Sequence, residues 1–508
     1  MPRYAAIDIG SNSVRMLAAD ALPDGSIQTL AADREVTRLG ESVFRDGVIG
    51  DQAADFVCGV LARMASSYQR LEVAGVRAVA TAAVRDASNQ REFVERASRA
   101  LGAPVEIISG QEEARLIHLG VSALWPHPGK RVLIVDVGGG SAEIILAEDG
   151  RVIDAFSKPL GAVRLTGVFL GDDPPKPAQL GRLQEYIAER LAPALRKIGV
   201  KPCDRAIATS ATAAAMVCAV NRVPRPRRED ADRLRATPSQ VNKLFAEICS
   251  RNTAGRARIT GIGPRRAQII IPGVAVLREV MRSFQLPSMY YSKAGVREGL
   301  IADLAARGVG SEQLRLSRVQ RREVERMAAR YQVPLRHGRK VAHLARSVFE
   351  ALRPLHRLPP VWAKLLEAAS YLFDTGHFVS DTGHHKHSEY LVLNSDLPGF
   401  TDHEKILVAA LCRFHRKSMP SARHTAFQSL PLDDRRALTL LIPLLRLADA
   451  LDRGKEQRVD DIRCDVSDNA VAIRIESAVR ADLELWAAEA VGDIFAGVYQ
   501  RALSVAHA

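Results

Sequence analysis

The sequence predicts an α/β protein. Two similar lobes come first, followed by an all-α domain and a small C-terminal α+β domain. Three observations predict this. Short apolar strands alternate with amphipathic helices as far as Leu300. One strand–turn–strand pattern occurs twice. Beyond Gly308-Val-Gly310-Ser311, which reads as a linker, the pattern is helical to about Arg453, and a hairpin and a helix end the chain. The expected boundaries are 1–117, 118–306, 307–453 and 454–508.

The repeated pattern is clearest in Arg131–Ala147. Val132–Val135 reads as a buried strand, Gly138-Gly139-Gly140 as a tight turn and Ile144–Leu146 as the returning strand. Glycines allow φ > 0 and leave no side chain over the backbone. Successive N–H groups there can converge on an anion such as phosphate. Asp136 enters the turn and Glu143 leaves it. Carboxylates beside such a site imply a divalent cation between them, and Mg²⁺ takes one or two carboxylates plus phosphate oxygens and water. Tyr4–Ala18 repeats the design: Asp8 matches Asp136, Gly10 matches Gly138 and Ser13 matches Ser141 at one constant offset. Two copies in register predict two half-domains that offer their turns to a shared cleft, the two-lobed arrangement of actin, Hsp70 and the sugar kinases. The candidate phosphate cradle is Gly10, Ser11, Asn12 and Ser13 with Gly138, Gly139, Gly140 and Ser141. The candidate metal carboxylates are Asp8, Asp136 and Glu143.

Length and composition set outer limits. At 508 residues the chain has room for three or four domains. A hydrophobic content of 47% is ordinary for globular domains, and no apolar run approaches the ~20 residues of a membrane helix. The sequence enters a strand at once, with no signal peptide. The cysteines Cys58, Cys203, Cys218, Cys249, Cys412 and Cys464 are scattered without a C-x-x-C pair, which argues for free thiols in a cytoplasmic protein and against a zinc knuckle. A net charge of +13 favours polyanions as partners, while an aromatic content of 5% gives little support to base-stacking platforms. The polyanion is nucleic acid, acidic lipid or a phosphate polymer, and charge alone does not choose among them; no membrane partner and no specific nucleic acid are expected.

In the first lobe, residues 1–50 read as strands with turns at Pro23-Asp24-Gly25 and Arg45-Asp46-Gly47. A helix over Asp51–Leu71, a strand over Val76–Ala80, a loop over Thr81–Asp86, a helix over Asn89–Leu101 and a strand over Val105–Ile108 follow. Ser109 with Glu112 three residues on fits a helix-capping box. Glu113 lies roughly 100° further around that helix and points elsewhere. The helix dipole favours an ionised carboxylate in the first turn, and such a group beside a phosphate cleft can orient and deprotonate a water.

After Glu143, a helical region opens at Leu160, a proline-rich break spans Asp172–Pro177, and a helix runs to about Ile198. Ala206–Thr212 is a strand leading into a hydroxyl-rich turn. Ile269–Gly273 leads another helix, and Tyr290–Leu300 ends the second lobe. In the helical region Arg315, Arg318, Arg322 and Arg326 share a face by i+3 and i+4 spacing, either solvated or a rail for a polyanion. His343, His377, His384, His385, His387, His403 and His415 gather near Asp374 and Asp449, but no pair has tight metalloenzyme spacing. Asp461–Val466 and Val471–Ile475 flank the turn Ser467–Asn469 as a hairpin.

Asp8–Ser13, Thr81–Ala87, Ile107–Ala114, Asp136–Glu143, Ile271–Gly273, Arg297–Leu300 and Gly383–Ser388 together resemble a long-form member of the exopolyphosphatase / guanosine pentaphosphate phosphohydrolase (Ppx/GppA) family. The resemblance implies a two-lobed phosphatase domain, an HD-like helical domain and a small C-terminal domain. It implies that Glu113 activates the attacking water, Glu143 is a second catalytic acid, Asp136 is metal-linked and Arg85 binds the terminal phosphate. It also implies a homodimer. Arginine suits phosphate because its planar fork binds two oxygens at once.

The chain departs from the family pattern in three places. Ala211 puts a methyl into Ser210-Ala-Thr212, where the family has glycine. Lys293 follows Ser292 where many relatives carry Asp, favouring anion contact over metal support. Phe373 precedes Asp374 where an HD domain has His, and Phe cannot ligate a metal. The helical domain is therefore not expected to be a working metallophosphohydrolase, and His384, His385 and His387 are read as structural or polyanion-facing.

These readings converge on Mg²⁺-dependent, processive hydrolysis of the terminal phosphate of inorganic polyphosphate, with Glu113, Glu143 and Arg85 as the catalytic set and the basic helical domain retaining the chain. Guanosine pentaphosphate is the alternative substrate. A small-molecule kinase of the same architecture and a non-catalytic sensor are the readings from other classes.

Overall fold

The computed structural model describes residues 2–22, 24–309 and 314–507, which fall into two compact units, Met1–Gly310 and Ser311–Ala508. The first unit holds two sheets. One comprises β1 (Arg3–Ile9), β2 (Val14–Ala21), β3 (Ile27–Glu35), β4 (Gly75–Ala80) and β5 (Val105–Ile107) in the order β3-β2-β1-β4-β5. The other comprises β6 (Arg131–Val137), β7 (Ala142–Glu148), β8 (Arg151–Lys158), β9 (Arg205–Thr209), β10 (Arg235–Ala236) and β11 (Met289–Tyr291) in the order β10-β11-β9-β6-β7-β8. In both sheets the first three strands pair antiparallel and the next two add in parallel: β3-β2-β1-β4-β5 corresponds to β8-β7-β6-β9-β11. The repeat seen in sequence is thus one topology used twice, with β10 as an addition.

The central strands are apolar on both faces, as strands covered from both sides must be. In β1, Ala5, Ile7 and Ile9 face one core while Tyr4 and Ala6 face another. In β6, Leu133, Val135 and Val137 face one core while Val132 and Ile134 face another. The inner faces share two helices. Gly110–Leu124 packs Ala114, Ile117 and Val121 onto the second sheet and Leu116 into the core under the first. Val296–Ala306 buries Leu300, Ile301 and Leu304 against Tyr4, Ala6 and Leu17 of the first sheet. The chain therefore returns to the first lobe after β11, whereas the sequence reading ended the second lobe there. The two helices touch backbone to backbone: a Cβ on Gly299 would sit 1.9 Å from the Leu116 carbonyl oxygen, and one on Gly120 2.2 Å from that of Gly295.

A buried ion network fixes the same junction. Arg77 pairs with Glu112 at 3.1 Å, Glu106 at 3.3 Å and Asp303 at 2.7 Å, and Arg115 pairs with Glu112 and Asp303 at 2.7 Å. Burial opposes ionisation of Asp303, but Arg115, Arg77 and Arg307 outweigh it and hold its carboxyl at about 2. This network corrects half of the expected capping box. The Ser109 hydroxyl does accept from the Glu112 N–H at 3.2 Å, but the Glu112 carboxylate turns to the arginines instead of the cap. Thr81–Asp86, read as a loop, contains a one-turn helix over Ala82–Asp86.

The second unit is helical from Arg318 to Ala450, and its single core continues into β13 (Ala470–Glu476) and the helices of 482–499. Residues 454–508 therefore share the core of the bundle and have none of their own. The hairpin of β12 (Asp461–Val466) and β13 forms as read, but β14 (Ala502–His507) then joins β13 in parallel, a strand the sequence reading missed. In the arginine face, Arg315 precedes its helix, and Arg322 and Arg326 both pair with Glu323. Of the expected linker, Gly310 and Ser311 lie outside the described residues, as does Pro23 of the first turn. No helix of the described residues is long and apolar enough to cross a membrane.

Arg77→Ala would remove one of the buried arginines that balance Glu112 and Asp303, leaving them to Arg115 and Arg307, and a loss of about 3–5 kcal/mol is expected. Chemical denaturation of the full chain checks this, and a change below about 1 kcal/mol would contradict the network's structural role.

Candidate active site

The hairpin turns β1–β2 and β6–β7 repeat each other atom for atom where it matters. Gly10 N–H donates to Ser13 O at 3.1 Å, and Gly138 N–H donates to Ser141 O at 3.0 Å. None of Gly10, Gly138, Gly139 or Gly140 has positive φ, so the expected reason for glycine is corrected. Close approach is what demands it. A Cβ on Gly139 would lie 3.0 Å from Ser11 Cβ, and one on Gly140 2.7 Å from Ala82 Cβ and from Ser11 Oγ. The tips of the two turns are in contact. Behind them, the Ala162 N–H donates to the Gly138 carbonyl and the Val163 N–H to the Gly139 carbonyl, both at 2.9 Å, which ties the second turn to a helix N-terminus.

The turns border a cavity of about 240 Å³. All eight residues of the expected cradle line it, as do Asp8, Asp136 and Glu113. Arg15, Arg34, Arg228, Arg266 and Arg297 complete its wall. A second cavity of about 260 Å³ shares Asn12, Arg34, Ala211, Arg228 and Arg266 with the first and adds Arg225 and Arg265.

These arginines were not in the expected site. One of them was readable: Asp8 pairs across the strands with Arg15 just as Asp136 pairs with Glu143, so the repeat carries opposite charges at one position. Arg34 sits beside Arg15 in the β2–β3 register, and no local pattern signals Arg228 or Arg266. Arg15, Arg34, Arg228 and Arg266 make no ion pair within 4 Å among the described residues. Burial, then repulsion from Arg15 and the other arginines, pushes Arg34 and Arg266 down to about 9.

The carboxylates are also under strain. Burial raises Asp8 and Asp136, although Arg15 pulls both down and the Thr209 hydroxyl donates to Asp136. Burial and then Asp136 raise Glu143 to about 7, against hydrogen bonds from Ser157 and Ser141. Glu113 is pushed well above the carboxylate range by burial and Glu143, and Arg85 pulls the other way. The expectation that the helix dipole keeps Glu113 ionised is thereby corrected: desolvation at a site this deep outweighs the first-turn dipole. One of its oxygens, Oε2, has no hydrogen-bond donor and lies 3.6 Å from Arg85 Nη1.

Three expected roles look different in place. Arg85 does not line the cavity; it donates to the Ile108 carbonyl at 2.6 Å and stands beside Glu113. Glu143 is 1% exposed and lies behind the wall. Among the described residues Asp8, Asp136 and Glu143 do not bring three ligand atoms within 4.8 Å of one another, so they form no closed cage. Such a set of oxygen donors, raised by burial and set beside a phosphate cradle, still fits a hard divalent cation that keeps most of its water. Lys293 lines the cavity, with its ammonium 3.0 Å from Glu229. Ser210, at the junction of β9 and the next helix, has φ +84°, so strain sits one residue before Ala211.

Residues 19–307 match the Ppx/GppA phosphatase family, and residues 319–489 match Ppx/GppA phosphatase, domain III. Over 465 residues the chain is 28% identical to the guanosine-5'-triphosphate,3'-diphosphate pyrophosphatase of Vibrio vulnificus (strain YJ016), covering 90% of this chain and 88% of the relative. The structure of the Aquifex aeolicus PPX-GPPA enzyme is 30% identical with a TM-score of 0.52, covering 59% of this chain and 99% of that one. An exopolyphosphatase-like protein of known structure is 26% identical with a TM-score of 0.57, covering 59% and 97%. With more than half of its length matched and its two glycine turns meeting over buried carboxylates and arginines, the chain belongs to the Ppx/GppA phosphatase family.

Proposed function

We propose that the chain hydrolyses the terminal phosphoanhydride bond of inorganic polyphosphate and releases orthophosphate. The observation that carries this is the arginine wall, which gathers Arg15, Arg34, Arg228 and Arg266 beside a phosphate cradle with no ion pair within 4 Å among the described residues. Only Tyr291 supplies an aromatic ring to the first cavity, and no aromatic residue lines the second, which favours a charge-dense chain without a base. Guanosine pentaphosphate is the second reading, supported by the name and near full-length match of the Vibrio relative.

In this reading the terminal phosphate lies between Gly10–Ser13 and Gly138–Ser141, whose amides and hydroxyls face its oxygens. The next phosphates run along Arg34, Arg228 and Arg266 toward the second cavity, which retains the shortened chain between turnovers. Phosphoryl transfer asks mainly for positioning and charge stabilisation, and fixed cations supply both. Glu113 orients a water in line with the terminal phosphorus and takes its proton. Arg85 lowers the cost of ionising Glu113, and Glu143 shares the proton of the coupled pair. A divalent cation held by Asp8 or Asp136 would supply further neutralisation of phosphate oxygens. Family membership supports transfer to water over transfer to a kinase acceptor.

Orthophosphate release with Mg²⁺ titrated should be faster from long polyphosphate than from guanosine pentaphosphate, and the reverse order would select the second reading. The active pair must lose a proton, and burial holds both Glu113 and Glu143 above the ordinary carboxylate range, so kcat/KM should rise with pH along a limb above that range. Removing the positive charge in Arg85→Gln makes ionisation harder and should move that limb to higher pH; a limb left in place would contradict the pairing. Arg266→Met should raise KM by roughly tenfold or more with kcat less affected, because the lost contact is a charge-assisted bond made in the ground state. The same variant should leave the empty protein's Tm unchanged or higher, since it removes a half-buried cation that repels its neighbouring arginines and has no ion pair within 4 Å among the described residues. A large fall in Tm would show that Arg266 serves the fold.

A further inference from the structure

We infer that the helical unit carries a divalent transition-metal site built from Asp374, His377, His384 and His415, displaced from the HD position that Phe373 occupies. Asp374 follows the helix Pro360–Leu372, His377 lies in the turn Thr375–Phe378, His384 opens the helix His384–Leu393, and His415 follows the helix Asp402–Phe414. Ligand atoms of Asp374, His377 and His384 all lie within 4.8 Å of one another. His377 Nε2 is 3.6 Å and His384 Nε2 4.0 Å from Asp374 Oδ1, and His415 Nε2 is 3.2 Å from His384 Nε2. Bonds of ~2.0–2.1 Å in a tetrahedron put ligand atoms ~3.3 Å apart, so modest shifts close Asp374, His377 and His384 on one ion, and His415, outside that group, moves further to join them.

The tautomers make the case stronger than the distances. His384 Nδ1 faces the Asp381 carbonyl at 3.1 Å, and His415 Nδ1 faces the Cys412 carbonyl at 2.7 Å. A carbonyl oxygen only accepts, so His415 carries its hydrogen on Nδ1 and turns its Nε2 lone pair to His384 Nε2 at 3.2 Å; His384 takes the same tautomer once Arg416, whose guanidinium also reaches its Nδ1 at 3.2 Å, moves off. His377 Nδ1 lies 2.6 Å from the Asp381 carboxylate, which likewise turns its Nε2 toward Asp374. Each histidine thus has the outer oxygen partner that metal-bound histidines have, and each presents Nε2 inward. Facing lone pairs need an electrophile between them. A shared proton would satisfy His384 and His415 alone, whereas an ion also uses Asp374 Oδ1 and His377.

The backbone is shaped for this meeting. A Cβ on Gly376 would lie 1.9 Å from the His384 carbonyl oxygen, so only glycine lets the turn reach the helix. The Ser388 hydroxyl receives the Gly376 N–H at 2.9 Å and donates to the Phe373 carbonyl at 2.6 Å. Lys455 holds the other Asp374 oxygen at 3.0 Å and leaves Oδ1 free for the ion. Arg416 Nη1 lies 3.2 Å from His384 Nδ1 and 3.4 Å from its Nε2, and from its exposed position the side chain must swing away as the ion enters. Three imidazoles and one carboxylate suit zinc, or cobalt in its place, better than magnesium.

The test is a cobalt(II) titration of the full chain after chelator treatment, read by visible absorption, with zinc as competitor. One equivalent should give the intense band of nitrogen-rich, four- or five-coordinate cobalt, and zinc should abolish it. Cobalt bound by the oxygens of the phosphate cleft is octahedral and absorbs weakly, which keeps the two sites apart. His377→Ala, at an exposed position, should weaken binding by about tenfold or more, and Asp381→Asn by about ten- to a hundredfold. His384→Ala should abolish the band, and because its site is buried the two surface variants keep the test independent of folding. Absence of the band, or a band unchanged in His377→Ala and Asp381→Asn, would overturn the site and leave a proton shared by His384 and His415.

Discussion

Arg15, Arg34, Arg228 and Arg266 are held beside one another at a cleft without anions of their own, and the rest of the first unit keeps them there. Like charges held side by side with no ion pair to an acid repel one another. Burial and neighbouring arginines lower Arg34 and Arg266, while burial and neighbouring acids raise Asp8, Glu113 and Glu143. Arg15 partly offsets Asp8 and Asp136, but burial still raises both acids and Arg34 and Arg266 stay lowered. A polyanion with its counter-cation relieves both imbalances together. Substrate binding is then favoured by unfavourable interactions already present in the empty cleft.

The fold maintains that imbalance through two backbone contacts and one ion network. Gly139 and Gly140 meet Ser11 and Ala82 at distances that exclude any side chain, so the two turns stay in register across the cleft. Gly120 and Gly299 let the two shared helices meet backbone to backbone. Arg77 and Arg115 then bind those helices through Glu112 and Asp303. Glu112 and Glu113 divide the work of adjacent positions on one helix: the first anchors the helix, and the second faces the cleft. A carboxylate with one oxygen free of donors is left where a water needs a base.

What was legible in the sequence was local or repeated. The two hairpins could be read because each fits within a short stretch and the copies share an offset. The same offset exposes Arg15 opposite Glu143. Arg34, Arg228 and Arg266 come from separate segments and converge only through tertiary packing, so no spacing announces them. The return of Val296–Ala306 to the first sheet depends on a backbone contact with Leu116 that no periodicity encodes. β14 was missed because it pairs in parallel with a strand distant from it in sequence. The histidines of the second unit were visible as a group, but their common orientation rests on carbonyls of Asp381 and Cys412, which no residue type reveals.

The central claim is that Glu113 serves as the base for a water aimed at a phosphate held by the paired turns. Steady-state turnover of polyphosphate by Glu113→Gln, with binding of the same polymer measured alongside, tests it most directly. The amide keeps the shape and removes the base. Binding should persist while kcat falls by about 100-fold or more. A fall of about fivefold or less, with binding intact, would contradict the account.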